Sequence, residues 1–250
     1  MEQLLTCAMD IGEQMLVSGA EVHRVEESIR RICHAFGAAR TDVFIITSSM
    51  VVTVFDKENR ATTQTRRITG SSIDIEKIHH LNDLCRRICS QPMTEAQIRQ
   101  ELDAAVHSKT YPFWVELLCY AGIAGAFTLF FGGTITEMLI SLIVGAIVRC
   151  GIWLSDLAVS GKIFSKFFSA VVATALAYAC VKLGWISTVD KIIIGNIMTL
   201  IPGIGLTNAL RDLFTGDSIA GLLRTVEAVL TALAIAAGYF LVAFLGGLTL

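Results

Sequence analysis

The chain has 250 residues, 54% of them hydrophobic, and a formal net charge of −2. The hydrophobic share exceeds the roughly 45–50% of an average soluble domain, and the sequence has no dense basic run that would bind nucleic acid. Charge is concentrated at one end, because residues 1–110 hold 13 of the 20 Lys and Arg and 15 of the 22 Asp and Glu. The sequence therefore predicts two domains, a cytosolic α+β domain at residues 1–110 and an α-helical polytopic membrane domain at residues 111–250.

The N-terminus and the cysteines indicate a reducing compartment for the first domain. Neither Lys nor Arg precedes Arg24, so the chain lacks the basic start of a signal peptide. The seven Cys are an odd number without a CxxC pair, which favours reduced thiols. A group that resembles zinc ligands consists of His79, His80, Cys85 and Cys89. Its spacing matches no recognised zinc site, and Cys85 falls on an apolar helical stripe, so we predict no metal and no cofactor.

Two helices open the first domain. Apolar residues at helical spacing predict an amphipathic helix over residues 2–18, and Gly19 suits a helix C-cap. A second apolar stripe runs from Val22 to Phe36. Charged side chains crowd the start of this second helix, namely Glu21, Arg24, Glu26 and Glu27. They have two interpretations, a solvated helix start favoured by the helix dipole or a functional cluster.

A small sheet and two more helices complete the first domain. Residues 42–55 are rich in Val, Ile, Phe and Thr, and predict two short strands or one bent strand interrupted at Ser48-Ser49. Thr94 is a plausible N-cap for the last helix. The predicted turn, third strand and two helices cover residues 56–59, 60–68, 74–90 and 94–107.

Five apolar segments follow an aromatic and cationic rim. The rim consists of Lys109, Tyr111, Pro112, Phe113 and Trp114, a composition typical of a membrane interface. Since a bilayer core requires about 20 apolar residues, we predict spans at residues 113–131, 135–154, 163–181, 192–210 and 222–245. Six basic residues fall on the side of the first domain, against Lys182 and Lys191 on the other. The positive-inside rule therefore predicts a cytoplasmic N-terminus and an external C-terminus.

The fourth span carries the candidate site. Pro202-Gly203 interrupts it, and a proline in mid-helix frees backbone polar groups that are tolerated at membrane depth only against protein or a watery cavity. Broken helices of this kind build substrate sites near the midplane of transporters. The residues predicted to contact substrate are Asn196, Thr199, Pro202, Gly203, Asn208, Arg211, Asp212 and Glu227. A charged Glu227 in hydrocarbon requires a partner such as Arg224 or Arg211. Two alternatives stay open, a Pro-kinked span with a polar cytoplasmic end and an interfacial ion network at the cytoplasmic ends of the spans.

The class of transporter follows from what the sequence lacks. It contains neither a filter-like channel loop nor a phosphate-binding loop. A secondary transporter is the economical interpretation. With five spans it requires a second copy or a partner subunit, because such transporters commonly enclose the site between two halves.

Three segments resemble the threonine/serine exporter family. They are GAEVHRVEESIRR at residues 19–31, DVFIITSSMVVTVFD at 42–56 with Arg66 after it, and IPGIGLTNALRDLFTGDSIAGLLR at 201–224. The chain is similar above all to the larger subunit of the split bacterial form of the family. In that form a soluble N-terminal domain and about five spans pair with a separate small membrane protein.

The resemblance implies a function and a set of motif residues. It implies export driven by the proton-motive force across the lipid of a bacterial inner membrane, with threonine, serine or a dicarboxylate such as succinate as substrate. Two alternatives remain, a hydrolase-like first domain with Glu21 or Glu26 as acid or base and Arg24 as anion holder, and a non-catalytic scaffold subunit. The motif residues that carry over are Gly19, Ala20, Glu21, Arg24, Glu26, Thr47, Pro202, Gly203, Asn208, Asp212, Gly216 and Gly221.

Overall fold

The computed structural model describes residues 2–91, 93–108, 111–158 and 161–246, without the side chains of residues 156–158. Lys109, the cationic member of the predicted rim, lies outside these residues. The chain forms two compact units, Met1–Lys109 with Gly203–Val226, and Thr110–Pro202 with Glu227–Leu250. Residues 203–226, which the sequence analysis assigned to the membrane domain, thus pack with the N-terminal residues.

The first unit combines helices with a three-stranded meander. The N-terminal residues form α1 Glu2–Val17, α2 Val22–Ala35, β1 Arg40–Ile46, β2 Ser49–Phe55, β3 Ala61–Arg67, α3 Ile75–Ser90 and α4 Glu95–Val106. The predicted helices and strands are present, with ends that differ from the predicted ones by one or two residues. Residues 42–55, for which two interpretations were open, form two strands joined at Thr47-Ser48. The capping box predicted from Thr94 is also present, since the Thr94 hydroxyl accepts the Gln97 N–H and the Gln97 side chain accepts the Thr94 N–H.

The core of the first unit is formed by the sheet and by α1, α2, α3 and α4. The strands are antiparallel in the order β1-β2-β3, and the middle strand buries alternate residues Met50, Val52 and Val54. This alternation is the pattern of a sheet with one face on the core. Arg66 of β3 reaches α1, where it pairs with Asp10 and, at 2.8 Å, with Glu13.

The second unit is a bundle of apolar helices. It contains α5 Phe113–Phe130, α6 Ile135–Ala158, α7 Lys162–Lys182 and α8 Asp190–Ile197. α9 Gly203–Thr215 belongs to the first unit, and α10 Ser218–Leu245 begins in the first unit and ends in the second. Within the described residues, α5, α6, α7 and α10 are the four helices long and apolar enough to cross a membrane. They correspond to four of the five predicted spans.

The predicted fourth span, residues 192–210, is two short helices rather than one. α8 has 8 residues and α9 has 13, so each is shorter than the roughly 20 residues that a crossing helix requires. The break falls at Pro202, as predicted, because proline lacks an N–H and disfavours a helical residue before it. Turn contacts satisfy part of the freed backbone, since Leu200 N–H donates to the Ile197 carbonyl at 2.8 Å.

Close helix contacts hold α5, α6 and α8 together. A Cβ atom at Gly145 would lie 2.9 Å from the Tyr120 carbonyl oxygen, and one at Gly195 would lie 2.7 Å from the Ala124 carbonyl oxygen. Both distances are shorter than real Cβ contacts, so only glycine fits. Small residues that let backbones approach are typical of helix packing in membranes.

Candidate functional site

The Gly-Ala-Glu motif forms the turn between α1 and α2. Gly19 has a φ of +93°, and a Cβ atom there would lie 2.8 Å from the Ser72 carbonyl oxygen. The turn is further fixed by the N–H of Asp74, which donates to the Ser18 carbonyl at 3.0 Å. A glycine is therefore required at this position both by backbone conformation and by space.

Three side chains from α9 and α10 bind the backbone of this turn. Asn208 Nδ2 donates to the Gly19 carbonyl at 3.0 Å, and Arg224 Nη2 donates to the Ala20 carbonyl at 2.8 Å. Asp212 Oδ1 accepts the N–H of Val22 at 3.2 Å. We call Asn208, Asp212 and Arg224 the backbone clamp. It joins two of the motif segments, which lie about 190 residues apart in the chain.

Asp212 is the centre of the backbone clamp. Glu21, the N-cap residue of α2, makes no side-chain capping bond, so the Asp212 carboxylate supplies a cap from another helix. Anions are favoured at a helix N-terminus. The second oxygen, Oδ2, lies 3.0 Å from Arg224 Nη1 as an ion pair without hydrogen-bond alignment. Asp212 is fully buried and Arg224 is 13% exposed in its side chain.

Burial governs the protonation of two carboxylates, Asp212 and Glu26. It raises the pKa of Asp212 above its ordinary value, and the nearby carboxylates of Asp217 and Glu21 add to the rise, while Arg224 and the Val22 N–H oppose it. Burial likewise raises the pKa of Glu26, against the opposing charge of Arg30. The folded state therefore favours the neutral form of Asp212 more than water does.

Arg211 and Asp212 meet different partners, as predicted for neighbouring residues of one helix. Arg211 pairs with the carboxylate of Glu21, and its side chain is 56% exposed. The Glu21–Arg211 pair thus lies at the surface, whereas the Asp212–Arg224 pair is buried. Arg211 and Glu21 were both predicted site residues, and the structure brings them together.

Two motif glycines shape the connection from α9 to α10. Gly216 ends α9 with a φ of +98°, and the Asp217 N–H donates to the Asp212 carbonyl at 2.9 Å. A Cβ atom at Gly221 would lie 2.7 Å from Leu213 Cγ and 2.9 Å from the Ala209 carbonyl oxygen. Gly221 therefore allows α10 to pack directly on the backbone of α9, which aligns Asp212 with Arg224.

The remaining motif residues lie outside the backbone clamp. Arg24 is exposed on α2, and Thr47 is half-buried in the β1–β2 turn. Glu26 pairs with Arg30 at 3.0 Å. A Cβ atom at Gly203 would meet nothing within 4 Å, so this motif glycine is not explained by space.

Glu227 does not form the predicted pair with Arg224 or Arg211. Arg224 pairs with Asp212 and Arg211 pairs with Glu21. Glu227 is exposed. The expected pairing of Glu227 was wrong because each arginine has a closer carboxylate, Asp212 for Arg224 and Glu21 for Arg211.

Asn196 and Thr199 belong to the second unit. The hydroxyl of Thr199 donates to the Asn196 carbonyl at 2.7 Å. Asn196 is fully buried, and its Nδ2 donates to Ser141 Oγ at 2.8 Å and to the Ile192 carbonyl at 2.9 Å. The predicted site residues thus fall into two groups, one at the backbone clamp and one in the helix bundle.

The roles of Arg224 and Ser141 were not predicted from the sequence. Arg224 was considered only as a partner of Glu227, although its position on the motif segment was a signal. Ser141 is a polar residue within the apolar run of α6, four residues after Glu137, and that spacing could have indicated a polar face.

The cysteines and histidines considered as zinc ligands form no metal centre in the part of the chain that the structure describes. That part contains no group of three or more His, Cys, Asp or Glu able to hold a metal ion. Cys85 is buried in the core, and burial raises the pKa of its thiol to about 12. The thiolate needed for zinc is therefore disfavoured at this position.

Comparison with known proteins identifies the family. The model of the family described as "Putative threonine/serine exporter" matches residues 6–246. The chain belongs to the threonine/serine exporter family. It is therefore a multi-pass membrane protein, in agreement with its apolar helices.

Relatives of the exporter family include bacterial and yeast proteins. The chain is 25% identical to the "Probable threonine/serine exporter" of Mycobacterium tuberculosis over 94% of the chain and 45% of that protein. It is 24% identical to the "Threonine/serine exporter" of Corynebacterium glutamicum over 94% of the chain and 50% of that protein. "Pheromone-regulated membrane protein 10" of Kluyveromyces lactis is 22% identical over 93% of the chain and 25% of that protein.

The chain corresponds to only part of the length of each of these relatives. The chain spans about half the length of the two bacterial relatives. No solved structure matches it significantly.

Proposed function

We propose that the chain is a subunit of a secondary exporter of small hydrophilic metabolites, driven by the proton-motive force. Threonine, serine or a dicarboxylate such as succinate is the substrate, and the membrane is the bacterial inner membrane. The names of the two bacterial relatives support amino-acid export. Because the chain accounts for about half of their length, a small membrane partner of the same family would supply the remainder of the transport path.

The backbone clamp is the observation that carries this proposal. Asp212 of α9 forms a buried ion pair with Arg224, which lies near the start of α10, a helix long enough to cross the membrane. Buried carboxylates with raised pKa values are common at functional sites. Protonation of Asp212 would remove its charge from Arg224 and weaken the cap on α2. Because burial raises its pKa, Asp212 takes up a proton more readily in the folded protein than in water, so the contacts of α9 and α10 with the Gly-Ala-Glu turn would respond to proton supply.

The contacts of α9 also support a fifth, broken crossing. If α5, α6 and α7 each cross the membrane, the chain after Lys182 emerges opposite the N-terminal residues. However, α9 contacts the turn at Gly19, so the chain must cross back to the side of the N-terminal residues before Gly203. The 8 residues of α8 rise about 12 Å. The residues that follow continue in hydrogen-bonded turns, since the N–H groups of Thr199 and Leu200 donate to the carbonyls of Asn196 and Ile197.

Together these two pieces are shorter than the roughly 30 Å of a bilayer core, so the case for a return of the chain depends on the contact of α9 with the turn at Gly19. The backbone outside helices in this crossing would be shielded by protein, because α8 buries Ile192, Ile193 and Asn196 in the bundle. We therefore keep five crossings in the proposal, with a cytoplasmic N-terminus and an external C-terminus. Reporter fusions after residue 108 and at the C-terminus test it. Fusions that report the same side would overturn the broken crossing.

The function is tested by efflux from preloaded cells. Cells that express the chain alone, or with its small partner, are loaded with labelled threonine, serine and succinate, with and without a protonophore. We expect efflux of one substrate class that requires the partner and collapses with the gradient. Absence of efflux for all three substrates with the partner present would contradict the proposed function.

A pair of variants links the efflux to the backbone clamp. Asp212→Asn keeps the shape of the side chain but removes the charge from Arg224, and we expect it to lose efflux while the protein still inserts. Asp103→Asn is the matched control, because the Asp103 side chain is 75% exposed. A scaffold subunit would instead tolerate Asp212→Asn as well as it tolerates the control.

A further inference from the structure

The exposed apolar residues of the first unit are concentrated in residues 203–226. Among the described residues, Gly203–Val226 exposes eight large hydrophobic side chains, against three in Met1–Lys109. The eight are Ile204, Leu206, Leu210, Phe214, Ile219, Leu222, Leu223 and Val226. Exposed apolar surface of this density marks an interface with another protein or with a membrane.

The helix α9 turns its polar residues inward and its apolar residues outward. Leu206, Leu210 and Phe214 follow one another at intervals of four residues and therefore form a stripe along one face. All three are exposed, Phe214 by 86%. Asn208 and Asp212 lie on the opposite side of α9, where they bind the Gly-Ala-Glu turn. We call Leu206, Leu210 and Phe214 the outer stripe. This arrangement reverses that of a helix on a soluble protein, whose apolar face packs on the core.

The length and charge of α10 determine the depth of its first residues in the membrane. α10 has 28 residues, which rise about 42 Å, whereas the hydrocarbon core of a bilayer is about 30 Å thick. The charged residues of α10 are Arg224 and Glu227, both near its start. Residues 228–245 carry no charge and rise about 27 Å, which matches the core. When α10 crosses the bilayer, its first turns therefore lie in the headgroup layer.

The helix α9 is held against these first turns of α10. Two residues separate the two helices, and a Cβ atom at Gly221 would lie 2.9 Å from the Ala209 carbonyl oxygen. The ion pair of Arg224 with Asp212, at 3.0 Å, joins them a second time. Since α9 packs against the part of α10 that lies in the headgroup layer, the outer stripe reaches the same depth.

We propose that α9 is an interfacial helix whose outer stripe inserts into the boundary between the headgroups and the acyl chains of the bilayer. Helices with one apolar face bind at this boundary with that face buried by about 5–10 Å. The lipid is the occupant because it is already present at the depth of the first turns of α10, whose exposed apolar residues continue the outer stripe. The backbone clamp then connects the inserted helix to the Gly-Ala-Glu turn and holds the first unit at the membrane surface. This inference depends on the membrane location of the chain and not on its export function.

Photocrosslinking identifies what covers the outer stripe. The full-length chain carries p-benzoylphenylalanine in place of Phe214 and is reconstituted in liposomes of phosphatidylethanolamine and phosphatidylglycerol. After irradiation, we expect intact-mass spectrometry to show protein that has gained the mass of one phospholipid. A crosslinked dimer as the main product would overturn the proposal, because it would place a second copy on the stripe. Absence of any adduct would overturn it as well, because it would show a stripe in water.

The matched control carries the same amino acid in place of His34. His34 is exposed in the last turn of α2. Because α2 begins at the turn that the backbone clamp binds and has 14 residues, its end lies about 20 Å from that turn. We expect the lipid adduct at position 34 to be at least about fivefold less abundant than at position 214, since insertion reaches only about 5–10 Å. Equal yields at the two positions would contradict insertion of α9.

Fluorescence quenching gives an independent measure of depth. Phe214→Trp and His34→Trp are each made in a chain whose three native tryptophans are replaced by phenylalanine. We expect lipids brominated in their acyl chains to quench Phe214→Trp and not His34→Trp, and aqueous acrylamide to quench them in the reverse order. Quenching of Phe214→Trp by acrylamide but not by brominated lipid would refute the proposal. Failure of the efflux assay would leave both the crosslinking and the quenching results unaffected.

Discussion

Gly221→Ala tests whether close packing of α10 on α9 is what aligns the backbone clamp. The new methyl group would lie 2.7 Å from Leu213 Cγ, 2.8 Å from the Leu213 nitrogen and 2.9 Å from the Ala209 carbonyl oxygen. Two of these three atoms are backbone, so the helices must separate rather than a side chain rotate. Overpacking of this kind costs about 1–3 kcal/mol.

Gly205→Ala is the matched control for the same substitution. Gly205 lies in α9, and a Cβ atom there would meet nothing within 4 Å. Because alanine is the better helix former by about 1 kcal/mol, Gly205→Ala should be neutral or stabilising. Both substitutions raise the helix propensity of the residue by the same amount. The difference between the free energies of unfolding of the two variants therefore reports the cost of the close contact at Gly221. We expect Gly221→Ala to be less stable than Gly205→Ala by about 1–3 kcal/mol.

The assay is thermal unfolding of the full-length chain in detergent, followed by efflux in cells. A difference of 1 kcal/mol shifts Tm by about 2–4 °C for a protein of this size, so the contrast is measurable. Gly221→Ala should also lose efflux, since displacement of α10 moves Arg224 away from Asp212. Equal Tm values for the two variants, or a Gly221→Ala protein with full efflux, would refute the packing argument.

Three further predictions concern the backbone clamp and the break before it. The raised pKa of Asp212 means that the native state binds a proton more readily than the unfolded chain, so the free energy of unfolding should fall as pH rises through the interval above the ordinary Asp pKa of about 3.9. Denaturant titrations at several pH values should show a shallower fall in Asp212→Asn. Arg224→Ala should destabilise by about 3–5 kcal/mol, because it leaves a buried carboxylate unpaired, whereas Arg211→Ala should cost less than about 1 kcal/mol at its exposed pair; similar losses in urea unfolding would contradict this ranking. Pro202→Ala should reduce efflux without affecting insertion, because alanine lets α8 and α9 extend towards each other, and unchanged efflux would count against a role for the break.

Local signals in the sequence predicted the elements well. The Thr94 N-cap, the alternation along β2 and the break at Pro202 each depend on a few neighbouring residues, and the structure contains all three. Such features need no knowledge of the rest of the chain, because capping, strand alternation and proline sterics act within a few residues.

Long-range placement was the part that the sequence could not give. Hydropathy does not distinguish a residue facing lipid from one buried against protein, so residues 192–210 resembled one span although α9 packs with the first unit. The backbone clamp was equally hidden, because Asn208 and Arg224 bind carbonyl groups, which every residue possesses. A contact to backbone leaves no complementary residue type for sequence reasoning to find.

The partner of Arg224 illustrates the same limit. Its charge was known from the sequence, and Glu227 three residues later was the obvious carboxylate on one helix face. The turn after α9 instead brings Asp212 to it. Spacing within one helix therefore suggested the wrong pair, since the pairing is decided by how two helices pack.

The discontinuous first unit has a consequence for synthesis on the ribosome. Its N-terminal part is separated from Gly203–Val226 by about 90 residues of the second unit, which take about 5–20 seconds to translate at typical rates. During that interval α5, α6 and α7 are synthesised, and the Gly-Ala-Glu turn still lacks the side chains of the backbone clamp that bind it. A fragment that ends near residue 108 would remain in this state permanently. Preparations of the first unit should therefore include residues 203–226, supplied by a linker or as a second chain.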